Sequence, residues 1–244
     1  MASRERPILF SGSMVRALLA GTKTQTRRVV KLGVPDKHGQ AYVHRGRYAA
    51  IVHPSLGVLA GPNEFLPGSH PEAKLPLERV VERFCPYGVP GDRLWVRETW
   101  AHLRDLRTTD PGADALGRRC FYRSDHPTGL MHDDGSDMRW RPAIFMPRWA
   151  SRITLELESV RVERLRAISE EDATAEGCTG HEPEPAEQGG TIHAQPGRSS
   201  APSPRAHYAH LWDKINGKRP GCTWKDNPWV WVLSFHKIGG SDGE

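Results

Sequence analysis

The chain has 244 residues, with 34 Lys and Arg against 29 Asp and Glu, and a formal net charge of +5. Its hydrophobic fraction is 37%, and no apolar run approaches the roughly 20 residues of a helical membrane span. With no apolar secretory leader in Met1–Arg6 and four scattered cysteines without a C-x-x-C pair, the composition predicts a cytoplasmic chain with reduced thiols and no membrane partner. The basic excess is moderate and arginine-rich, which fits a polyanionic partner.

In chain order, Pro7–Phe10 reads as a short strand. Ser11 or Ser13 caps a helix through Met14–Ala20, and Gly21 stops it. Arg28–Val30 is a second strand. From about 33 to 80 the pattern dissolves into an irregular insertion with a hairpin at Tyr42–Val52. Turn chemistry at Cys85–Asp92 leads into a strand over Arg93–Trp100. A second irregular insertion covers 104–138, and Ile144–Met146 reads as extended. Arg152–Glu163 alternates apolar and polar residues, the mark of a long strand with one wet face. Ile168–Gly177 is a short helix with Ser169 as N-cap, Asp172 at the capping-box position and Gly177 as stop. A Pro-, Gly- and Ser-rich loop at 179–205 precedes a helix at His207–Ile215, with Leu211, Trp212 and Ile215 on one face. Trp229–Phe235 is a last buried strand, and 239–244 a disordered tail. This pattern predicts one α+β domain over 1–238, β-rich, with short flanking helices and long irregular insertions.

The densest chemistry is Gly21-Thr22-Lys23-Thr24-Gln25-Thr26-Arg27-Arg28. Lys and Arg hold phosphate, and Thr hydroxyls orient a ligand. A buried Lys beside a Thr can serve as the base that activates the hydroxyl. In a straight strand Lys23 and Thr26 face opposite sides, so that role needs a turn between them. The competing reading is a solvated basic turn. Glu176 stands apart from Glu170, Glu171 and Asp172, because it lies at the helix end that the dipole disfavours for a carboxylate. Met146-Pro147-Arg148-Trp149-Ala150-Ser151-Arg152 sets two arginines around a tryptophan, suited to a base or a phosphate, or else to a β-bulge with a core Trp. Cys178-x-x-His181 and His207-x-x-His210 lack finger spacing and read as ordinary surface histidines, so neither metal nor cofactor is expected. Trp229 and Trp231 share one strand face and read as core.

These residues together resemble the ASCH-domain superfamily, similar in fold to the PUA domain, and most nearly the large ASCH proteins of phage and prophage genomes. The resemblance rests on Pro7–Gly12, on Leu19-Ala20-Gly21-x-Lys23-Thr24-x-Thr26-x-Arg28, on Pro90-Gly91-Asp92-x-Leu94–Thr99, on Met146–Arg152, on Ile168–Gly177 and on the Trp-rich last strand. It implies a PUA-like β-barrel closed by short helices, with a cleft lined by the Gly-x-Lys motif. One small branch of the superfamily hydrolyses N4-acetylcytidine with a Lys, a Thr three residues later and a Glu from an acidic segment. By motif these are Lys23, Thr26 and Glu176, with Gly21, Thr24, Arg27, Arg28, Arg97, Arg148, Trp149 and Arg152 as substrate or nucleic-acid contacts. The expected function is an amide hydrolase on N4-acylated cytosine, with a modified nucleoside or nucleic acid, RNA ahead of DNA, as partner. A non-catalytic RNA- or DNA-binding module, a reader of modified bases and a ribonuclease are the alternatives. The chain is more than twice as long as the small hydrolases, and Arg27 adds a charge beside the motif.

Overall fold

Five strands and three helices place the chemistry. In the computed structural model, residues 3–30, 41–45, 48–53, 57–62, 85–102, 120–128, 138–178 and 202–238 are described. The main sheet contains β1 (Glu5–Leu9), β2 (Gln25–Val29), β6 (Arg93–Arg97), β9 (Thr154–Arg164) and β10 (Trp229–Ile238), in the order β1-β6-β9-β10-β2. β1 runs parallel to β6, and the other neighbours are antiparallel. The fold is therefore mixed α+β.

The two edge strands, β1 and β2, are consecutive in the chain and joined by helix α1 (Gly12–Leu19). Val15 and Leu18 of α1 are buried in the main core with Ile8, Leu94, Leu155, Leu233 and Phe235. The helix thus covers the open side of the sheet. No backbone ladder joins the edges among the described residues. A side chain does: Arg28 on β2 donates to Leu9 O on β1 at 2.6 Å. The sheet is curled enough for its edges to be bridged, and it stops short of a closed barrel.

The central strand β10 sets the register of the site. Val232 lies opposite Arg27 of β2 on one side and opposite Arg161 of β9 on the other. Arg27 and Arg161 are therefore on the same face, two strands apart. That face is covered by α2 (Glu170–Ala175) and α3 (Pro204–Asn216), whose Ala173, Tyr208 and Trp212 pack with Val230 and Val232 in a second core. Trp231 is buried on the opposite face, in the main core, where Trp229 also packs. Each such large side chain removed from water contributes about 1.5–3 kcal/mol.

Several local expectations change. The insertion at 41–62 is a three-stranded antiparallel sheet, β3 (Ala41–Arg45), β4 (Tyr48–His53) and β5 (Gly57–Pro62), so the expected hairpin gains a third strand. The strand expected through Trp100 ends at Arg97. The chain then resumes as β7 (Trp100–His102), paired with β8 (Cys120–Tyr122). Ala143–Phe145 is a 3-10 turn and not extended, and Arg148–Ala150 is another. Pro142 and Pro147 stand directly before them, and proline's fixed φ suits the entry of a tight turn. Ser11 occupies the N-cap of α1 without capping it, because its hydroxyl meets that of Ser13 at 3.1 Å. Helix α3 starts earlier than expected, with Ser203 as its cap and Pro204 in its first turn. The stretch 104–119, most of 179–205 and the tail 239–244 lie outside the described residues. No described helix is long and apolar enough to cross a membrane.

Candidate functional site

Two helix ends meet here. Helix α1 stops at Ala20, and Gly21 takes φ +73°. Gly21 N–H donates to Leu18 O and Thr22 N–H to Ala17 O, the pair of bonds that closes a Schellman turn. Helix α2 ends the same way: Gly177 has φ +90°, its N–H donates to Thr174 O, and Cys178 N–H donates to Ala173 O. The two turns pack together. A Cβ on Gly177 would lie 3.3 Å from Ala17 Cβ and 3.6 Å from Lys23 Cβ. Thr24 N–H then ties the first turn to the second by donating to Ala175 O at 2.9 Å.

This contact delivers Lys23 into the C-terminal end of α2. Its side chain is fully buried, and Nζ donates to Glu176 O at 2.7 Å and to Glu176 Oε2 at 2.8 Å. A helix C-terminus favours a cation. Burial nevertheless pushes the lysine below its ordinary pKa, and the Glu176 carboxylate offsets only part of that. The Phe10 ring lies 5.7 Å from Nζ.

The other oxygen of Glu176 belongs to Arg27, also fully buried, at 3.4 Å from Nη1. Arg27 Nη1 donates to Gln25 Oε1 at 2.6 Å. Nη2 reaches Glu163 at 2.7 Å and Asp172 at 2.6 Å. Arg161 closes the outer side through Asp172 at 2.9 Å and Glu163 at 3.3 Å. Three cations and three carboxylates thus form one network, in which Glu176 is shared by Lys23 and Arg27. Burial alone would depress the Arg27 pKa, but Glu176 and Glu163 outweigh it and the net shift is upward. Burial, reinforced by Glu176, raises the Cys178 thiol to about 11 and lifts the Tyr208 phenol well above its ordinary value. Both stay protonated at neutral pH.

Thr26 sits opposite Leu233 and is 2% exposed. It lines a small cleft, about 50 Å³ inside, together with Arg27, Glu176, Tyr208, Trp212 and Asn216. Strand β2 begins at Gln25, so the alternation that would oppose Lys23 and Thr26 does not extend back to Lys23. Among the described residues, the Thr26 hydroxyl has no hydrogen bond to Lys23 or Glu176. The structure brings Lys23 and Glu176 into contact, and Thr26 shares a cleft with Glu176.

The remaining expected contacts divide. Gly21 and Thr24 are exposed at the turn. Arg28 makes no contact with the network's carboxylates among the described residues but lines the same cleft, with its guanidinium 5.0 Å from the Phe10 ring centre. Arg97, register partner of Leu9, donates to Ile144 O at 3.2 Å and covers the Trp95 ring at 4.6 Å. Arg148 pairs with Glu5 at 2.9 Å, and this hydrogen bond lowers the Glu5 pKa. Trp149 is 59% exposed, edge-to-face with Trp100 at 5.8 Å, so it is neither a bulge nor core. Arg152 is committed to buried Glu98 at 3.0 Å and to Asp125 at 2.7 Å, and it lies over the Tyr122 ring.

Gln25, Arg161, Glu163, Asp172 and Tyr208 join the site without being expected there. Two of them carry a legible signal. Asp172 and Glu176 are spaced i,i+4 and share a helix side, and Gln25 and Arg27 are spaced i,i+2 and share a strand face. Asp172 does not complete a capping box: Ser169 Oγ accepts from its backbone N–H, but its carboxylate turns to Arg27 and Arg161. His181 lies outside the described residues, and among those described no group of three His, Cys, Asp or Glu is placed to hold a metal. Comparison with protein-family models, with curated proteins and with solved structures gives no match to this chain.

Proposed function

We propose that this is a nucleic-acid-related protein of ASCH type, its curled sheet a variant of the PUA-like barrel, which hydrolyses the amide of an N4-acylated cytosine. The observation that carries this reading is the buried Lys23–Glu176 pair beside a cleft that Thr26 also lines. Burial favours the neutral amine, and a neutral amine is what a base must be. In this reading Thr26 Oγ1 adds to the acyl carbonyl while Lys23 Nζ takes its proton, and Glu176 holds the ammonium in place. Collapse of the tetrahedral adduct breaks the C–N bond, and the same proton passes to the departing amine. Water then cleaves the acyl-threonine ester and releases the acid.

The test is to incubate the folded protein with N4-acetylcytidine and follow cytidine. Lys23→Ala and Thr26→Ala each lower the rate by about 10²-fold or more, the scale of losing a base or a nucleophile. No product from folded wild-type protein sinks the hydrolase. One observation favours a second reading, a binding module: the Thr26 hydroxyl makes no hydrogen bond to its proposed base. That reading predicts salt-dependent nucleic-acid binding without turnover. A ribonuclease would instead cleave unmodified RNA.

A further inference from the structure

Arg28 and Arg97 differ from the other arginines near the site. Neither has a carboxylate ion pair among the described residues. Each spends one donor on a backbone carbonyl, Leu9 O or Ile144 O. Each also leaves a buried Nε without a hydrogen-bond partner among the described residues, a feature shared with Arg27. Two half-buried guanidiniums with no counter-charge among the described residues call for an anion.

They also lie on one continuous path. Arg28 reaches Leu9, Leu9 is the register partner of Arg97, and Arg97 reaches the turn at Ala143–Phe145. Leu9 is 43% exposed, and beyond it Ile144, Phe145 and Trp149 are 55%, 68% and 59% exposed. Residues 139–152, which hold this apolar patch, contain no acidic residue, and of their four arginines Arg148 and Arg152 pair with Glu5, Glu98 and Asp125 from other segments. Large aromatic faces left in water near Arg28 and Arg97 are what unpaired bases and their phosphates require. A duplex offers neither bare base faces nor a way to bring them onto Phe145.

We propose that a single-stranded polynucleotide docks along this strip, with phosphates on Arg28 and Arg97 and bases stacked on Phe145 and Trp149. The strip adjoins the Lys23 site through Phe10, a buried core residue whose ring carries Arg28 at 5.0 Å and Lys23 Nζ at 5.7 Å. The cleft then works on a nucleotide within a strand. The proposal rests on the nucleic-acid reading above but not on turnover.

The experiment is fluorescence anisotropy of the full chain with a labelled single-stranded RNA of roughly 12 nucleotides, titrated over a range of salt, with the duplex of the same sequence as competitor. Phe145→Ala and Trp149→Ala each weaken binding about tenfold and leave the salt slope unchanged. Arg28→Gln and Arg97→Gln each reduce the slope of log K against log salt by about 0.7. Thermal unfolding of each variant checks that it is folded, and the two aromatic residues are exposed enough to be removed without loss of core. Wild-type affinity and slope in all four variants, or a duplex that competes as well as the single strand, overturns the strip. Cytidine released from the free nucleoside with no effect of these variants on RNA binding sinks the strip alone. RNA binding without release of cytidine sinks the hydrolase alone.

Discussion

Arg27 and Arg28 are adjacent in the chain and have opposite electrostatic surroundings. Arg27 points to the helix-covered face of β2, where Glu176, Glu163 and Asp172 surround it within 3.4 Å. Arg28 points to the other face, where Phe10 and a backbone carbonyl are its neighbours. A strand turns successive side chains to opposite sides, so one sequence step separates a buried charge flanked by three carboxylates from a half-buried one with none among the described residues. The two side chains do different work: Arg27 fixes Glu176, and through it Lys23, whereas Arg28 makes no ion pair among the described residues.

The largest effect expected from that contrast is Arg27→Met. It would leave three carboxylates with only Lys23 and Arg161 to balance them, Glu176 buried and Glu163 and Asp172 half-buried. Removing one partner of a buried ion pair costs about 3–5 kcal/mol, read as a drop in unfolding free energy in urea. Glu176→Ala should cost a similar amount, since Lys23 would keep only the Glu176 carbonyl. Replacing Lys23 and Glu176 together by apolar residues of similar volume should recover much of it. A loss below about 1 kcal/mol for Arg27→Met would place that side chain in the weak surface class and break the contrast.

A smaller effect follows from pH. Burial works to raise the Asp172 pKa, but Arg27 and Arg161 outweigh it and hold it below its ordinary 3.8. For a carboxylate depressed in the folded state, the stabilisation is complete above the unfolded value and is lost as pH falls through the folded one. The acid limb of the stability curve below 3.8 should therefore carry a contribution from Asp172, and Asp172→Asn should flatten that limb. Unfolding midpoints from neutral pH down to about pH 3 measure it. An unchanged slope in the variant would separate Asp172 from the Arg27 network.

What could be read in the sequence was local. Gly21 and Gly177 mark the helix stops, since only glycine enters the left-handed region there without strain. Ser169 caps α2 as expected. Lys23 and Glu176 could be named by motif and by an odd placement against the dipole, although 153 residues separate them. What was not legible depends on register. Glu163 reaches Arg27 because Val232 lies between Arg27 and Arg161 across three strands, and no periodicity within one segment encodes that pairing. The patch was missed for a different reason. Ile144–Met146 is apolar and reads as a strand, while the prolines at 142 and 147 favour tight turns that lift Ile144 and Phe145 into solvent. Arg152 looked equivalent to Arg148, yet the buried Glu98 that it pairs with comes from another segment.

The smallest effect is the most discriminating. Arg28→Met removes one hydrogen bond to Leu9 O and a cation above the Phe10 ring, losses of about 0.5–1 kcal/mol each in partly exposed settings. It also removes a positive charge that works against protonated Lys23, which returns part of that loss. The methionine can still cover Phe10. The net change should stay within about 1 kcal/mol, several-fold below that of the same substitution one residue earlier. Paired urea titrations of Arg27→Met and Arg28→Met measure the difference directly. Equal losses would mean that Arg28 holds the edges of the sheet together as firmly as Arg27 holds the network, and its guanidinium would then be structural and not held in reserve for an anion.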